Sequence, residues 1–108
     1  MSYRVAITIS GIAVRLYQDT LEKIFRKHGE LRNTRSLILE TVSAPDVVLA
    51  GHDKELLAIR HYTATPLGVK DMIVVYREDK RLIITAFLTS NRSRLSRKRR
   101  TIWRRQSR

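Results

Sequence analysis

The sequence contains no cysteine, only two prolines and four glycines, and aromatic side chains make up 6% of its 108 residues. The missing thiols exclude a disulfide-stapled scaffold, a cysteine-based zinc ribbon and a thiol nucleophile. They fit a reducing compartment, so the cytoplasm is the expected location. Acidic residues are scarce as well, 10 against 22 Lys plus Arg, for a formal net charge of +12. No apolar run approaches the roughly 20 residues that a membrane-spanning helix needs, and Met1 to Ser10 alternates instead of forming a secretory core; no membrane partner is expected. The glycines are scattered, so none forms a phosphate-cradling loop, and no His or carboxylate pair has the spacing of a metal site. No cofactor or metal is expected.

What is present is a single domain's worth of chain with 43% hydrophobic residues, enough for one core. A pI near 11.1 calls for a polyanionic partner, nucleic acid first. The charge is unevenly placed. Residues 92–108 hold nine basic side chains and no acid, which leaves 13 basic against 10 acidic, or +3, for residues 1–91. The expected organisation is therefore one domain over 1–91 and a basic C-terminal extension over 92–108. Such a run of like charges is solvated and orders on a polyanion, here with Ile102 and Trp103 partly packed.

Tyr3 to Ile9 is β-branched and closes on Ser10-Gly11, which predicts a strand. From Ile12 the apolar positions Val14, Tyr17, Leu21, Ile24 and Phe25 recur at helical spacing, ending at Gly29 in a left-handed C-terminal position. A second helix is expected over Leu31 to Val42, then a turn through Pro45 to Gly51. Strands follow over Leu56 to Tyr62, Met72 to Arg77 and Leu82 to Thr89, with a loop at Thr63 to Val69 and a tight hairpin at Glu78-Asp79-Lys80. The order β-α-α-β-β-β reads as α+β, with the N-terminal strand and two helices on one face of an antiparallel sheet. The hairpin pairs Tyr76 with Ile83 and Val74 with Thr85. That register puts Val74, Tyr76, Ile83, Thr85, Phe87 and Thr89 on an open face and Leu82, Ile84, Ala86 and Leu88 against the helices.

The succession His28-Gly29-Glu30-Leu31, Ile38 to Val42, Ala44 to Val48, Glu55 to Tyr62, Ile73 to Glu78 and Ile83 to Phe87 resembles small phage and toxin-like nuclease domains of the barnase, EndoU, colicin and RelE type. It spans about residues 3–103 and is carried by the order of segments more than by one motif; where the family form has Pro after the histidine, Gly29 stands here. The resemblance implies a metal-independent endoribonuclease with His28, Arg60 and Thr85 as catalytic residues on the open face. The chemistry suits those types. Histidine serves as base or acid near neutral pH, arginine offers a fork for phosphate oxygens, and a threonine hydroxyl positions or donates. Attack by a 2′-hydroxyl makes RNA, rather than DNA, the substrate.

Each of these residues also has an ordinary structural role open to it. His28 is in phase with the apolar stripe and can serve the helix-end carbonyls. Arg60 can be an edge charge that blocks aggregation, and Thr85 is a common strand residue. His52 and His61 remain alternative imidazoles; if Arg60 faces the open side, His61 faces the helices. Tyr62, Tyr76 and Thr89 are candidates for contact with bases. In the extension Arg97, Lys98, Arg99, Arg100, Arg104 and Arg105 are candidates for phosphate contact, with Trp103 as a stacking platform or as an anchor for the segment. The alternative function is a non-catalytic RNA- or DNA-binding module. An acidic antitoxin or immunity protein is the protein partner that such a surface would take.

Overall fold

A computed structural model describes residues 2–106; Arg108, counted above with the basic extension, lies outside the described residues. The fold is α+β, a seven-stranded mixed sheet with three α-helices. Strand β1 (Tyr3–Ile7) forms a hairpin with β2 (Ala13–Tyr17), where a single helix was expected from Ile12 onward. Val14 and Leu16 are buried while Arg15 is exposed, a period of two that the helical spacing from Val14 to Tyr17 to Leu21 disguised. The turn is closed by Thr8, whose hydroxyl accepts from the Ser10 and Ile12 amides at 3.2 Å, and by Gly11 at φ 80°.

Helix α1 (Gln18–Lys27) buries Leu21 and Ile24. It stops at His28 rather than in a left-handed glycine, because Gly29 instead opens a 3-10 turn, Gly29–Leu31. Asn33 at φ 64° then breaks the chain, so helix α2 (Arg35–Ser43) starts later than its apolar pattern suggested. The expected turn after Pro45 contains strand β3 (Val47–Ala50). Its continuous apolar run lacks alternation because both of its faces are covered. Strands β4 (Leu56–Thr65) and β5 (Gly68–Arg77) extend through most of the expected loop as a long hairpin, and β6 (Leu82–Thr89) follows.

The strand order is β1-β2-β6-β5-β4-β3-β7, antiparallel throughout except for a parallel contact of β2 with β6 at Arg15 and Leu82, so the sheet is not the purely antiparallel one expected. Tyr76 pairs with Ile83 as expected, but a bulge shifts the rest so that Val75 meets Thr85 and Val74 meets Ala86. That one-residue slip redistributes the faces. Val74, Tyr76, Ile83 and Ala86 are buried in one core with Leu21 and Ile24 of α1 and Ile38 and Val42 of α2, with Leu88 packed against it. On the other face Val47, Leu49, Leu57, Ile59, Ile73 and Val75 form a second core with Ile84 and Phe87.

The basic C-terminal segment is structured. Helix α3 (Arg92–Lys98) sets Leu95 against the second core, and β7 (Thr101–Arg104) pairs with β3 at the sheet edge. Trp103 is half-buried opposite Val48, whereas Ile102 is exposed. No helix among the described residues is long and apolar enough to cross a membrane.

Candidate functional site

Helix α1 delivers His28 to the edge of β6. The His28 amide donates to the Ile24 carbonyl at 2.7 Å, its ring lies 3.8 Å from Glu30, and its ring centroid is 6.3 Å from that of Phe87. Phe87 in turn lines a groove of about 350 Å³ with Thr89, Asn91, Leu95 and the cations Arg94, Lys98 and Arg99. Strand β6 supplies Phe87 and Thr89, and α3 supplies Arg94, Leu95 and Lys98. Thr85 opens toward the same side, since its partner Val75 belongs to the second core.

Arg60 does not join them. It pairs with Met72 of the helix-covered core, so it projects from the opposite face to Thr85. Its Nη1 donates to the Ala44 carbonyl at 2.5 Å, its Nε stands 3.6 Å from Glu40, and its guanidinium lies 5.6 Å from the Tyr62 ring. It therefore serves the end of α2, where unpaired carbonyls favour a cation. Tyr62 is tied there too, donating to Glu40 at 2.9 Å, and burial, reinforced by Glu40, pushes its hydroxyl up to about 12. Tyr76 is wholly buried among the helix contacts, so it cannot stack on a base; burial raises its hydroxyl well above the ordinary tyrosine range.

The strand alternation that turns Arg60 toward α2 turns His61 the other way, reversing the expectation for that pair. His61 stands with Asp71 of β5, Nδ1 to Oδ1 at 3.0 Å, and its amide donates to Asp46 at 2.7 Å. Asp46, Asp71, Arg92, Arg104 and Arg105 surround it in a second cleft of about 560 Å³. Sequence reasoning missed Asp46, Asp71 and Arg92, because the register that joins them depends on the long β4–β5 hairpin and on the folded C-terminal segment. The available signal was His61 and Asp71 at opposite strands of an extended hairpin, hidden by reading Thr63 to Val69 as loop. His52 sits in the exposed turn between β3 and β4. Arg97 and Arg100 are on the C-terminal segment without ion pairs among the described residues.

Comparison of the chain with protein-family models, with curated proteins and with solved structures finds no significant match.

Proposed function

We propose that this chain binds RNA along the α3 side of its sheet and cleaves it without a metal ion, by attack of a 2′-hydroxyl on the adjacent phosphate. The observation that carries the reading is the convergence of His28 on Phe87 at a groove lined by Arg94, Lys98 and Arg99. A half-buried aromatic ring lining a groove among cations suits a single strand, whose bases stack while its phosphates pair. His28 takes or returns the proton, Thr85 positions the phosphate, and the α3 cations stabilise the charge that builds on it. Arg60 has no part in this scheme, being engaged at the end of α2. The resemblance to toxin-like nucleases points the same way, and with it come a cytoplasmic site of action and an acidic inhibitory protein that would cover the same cations.

The test is cleavage of RNA by purified protein in EDTA, with 2′,3′-cyclic phosphate ends as the expected product. His28→Ala should slow it by about 100-fold or more, the ordinary worth of a general acid or base. Unchanged cleavage in that variant overturns the site. The three cations that line the Phe87 groove also favour a second reading, binding alone. Salt-sensitive RNA binding with no cleavage by the parent protein would select it.

A further inference from the structure

The second cleft has no role in the reaction centred on His28, yet its side chains are arranged for a ligand. Asp46 and Asp71 are already committed inside the protein. One Asp46 oxygen accepts from the His61 amide at 2.7 Å and the other meets Arg105 at 2.6 Å. Asp71 holds the His61 ring through Nδ1 at 3.0 Å, which fixes the imidazole and leaves Nε2 for a ligand on a side chain that is 49% exposed. The remaining groups are donors. Arg92 Nη1 is shielded from solvent but has no hydrogen bond, standing 3.6 Å from Asp46 and 3.7 Å from Asp71. Arg104 lines the cleft and makes no ion pair among the described residues.

Three arginines thus share the cleft with two carboxylates, Asp46 engaged through both oxygens and Asp71 through Oδ1, and one shielded guanidinium nitrogen, Arg92 Nη1, has no hydrogen-bond acceptor. A buried donor without an acceptor is costly, and an oxyanion supplies one. We propose that the cleft formed by His61, Arg92, Arg104 and Arg105 is a phosphate-binding site. His61 presents Nε2 to the cleft beside the three guanidinium groups. The charged groups facing His61 are Asp71 from β5, Asp46 before β3, Arg92 from α3, Arg104 at the end of β7 and Arg105 just after it. The position suits a nucleotide ligand. Asp71 of this cleft is paired with Thr89 of the Phe87 groove, so the two sites adjoin along α3.

The test is an NMR titration of the full chain with inorganic phosphate at one fixed pH. The expected result is a saturable shift of the His61 ring signals, with those of His28 and His52 still. Arg104→Gln, which removes a side chain without an ion pair, should weaken binding about tenfold or more, as expected for loss of a charge-assisted hydrogen bond. His28→Ala should leave phosphate binding unchanged, which separates this site from the cleavage reading. Absence of a saturable shift at His61, equal shifts at all three histidines, or parent-like binding by Arg104→Gln overturns the proposal. A 5′-phosphorylated and a 5′-hydroxyl tetraribonucleotide then identify the source. Preference for the phosphorylated oligomer assigns an RNA end, equal displacement of phosphate assigns the backbone, and displacement by neither assigns free phosphate.

Discussion

Arg60 is unusual as a charge in an apolar strand, and the structure gives it a local partner. A charge in an apolar strand needs a partner, and the partner is the end of α2, through the Ala44 carbonyl and Glu40. Arg60→Ala should therefore lower folding stability by about 1–3 kcal/mol, the range for a lost hydrogen bond to a charged group. It should leave RNA cleavage per folded molecule intact, as urea melts and activity assays on the same preparation would reveal. A large loss of cleavage with unchanged stability would restore Arg60 to the catalytic set. Tyr62, beside it, has a folded hydroxyl raised from 10.0 to about 12, chiefly by burial. The sign follows from linkage. The folded state holds this proton more tightly than the unfolded chain, so the contribution is complete below about pH 10 and is lost as pH rises through about 12. Tyr62→Phe should flatten that alkaline decline in stability, measured as urea midpoint against pH. Tyr76 contributes a decline of the same sign, so the flattening is partial.

Helices and strands with one clean period were legible, and those at a change of period were not. Leu21 and Ile24 mark α1 because burial on one face imposes a helical repeat, while β5 and β6, covered on both faces, are marked by longer β-branched runs between turn residues. Strand β2 failed because five residues can satisfy both periods, and β3 failed because a strand covered on both faces has no period at all. The bulge between Val75 and Tyr76 was beyond reach from sequence. It set Thr85 and Phe87 on the face opposite Tyr76 and Ile83, which decided which β6 residues meet the folded C-terminal segment. Helix α3 was hidden by its charge, since the one apolar contact that docks it is Leu95. Leu95→Asp should thus release α3 while the sheet persists. Hydrogen exchange should accelerate at least about tenfold in residues 92–98 with β5 and β6 unchanged, as for an element that opens independently. Equal acceleration across β5 would mean that the second core depends on α3.

For the molecule as a whole, the basic segment is both a charge reservoir and a structural layer. It closes one face through Leu95 and one edge through the β3–β7 ladder, while Arg94, Lys98 and Arg99 stay at a groove. If those three cations each contact a phosphate, the logarithm of RNA affinity should fall against the logarithm of salt with a slope of about −2. Lys98→Ala should reduce it by about 0.7. A slope near zero by fluorescence anisotropy would remove the electrostatic basis of the interface. The net charge was legible in the sequence, but its attachment to a packed helix and strand was not, because like charges argue for extension until a docking face exists. One further property follows from the narrow parallel contact between Arg15 and Leu82. The meander from β3 to β6 closes mostly over neighbouring segments, whereas the β1–β2 hairpin reaches β6 across the two helices and is clasped by Thr8 donating to Glu78 at 2.6 Å, 70 residues away. Contacts that distant carry the larger loop-closure entropy. The sheet is thus a joint between a block of mostly local contacts and one tied in by distant contacts, and His28 follows α1 beside that joint. The contact of His28 with Phe87 spans both blocks and forms only when they have met.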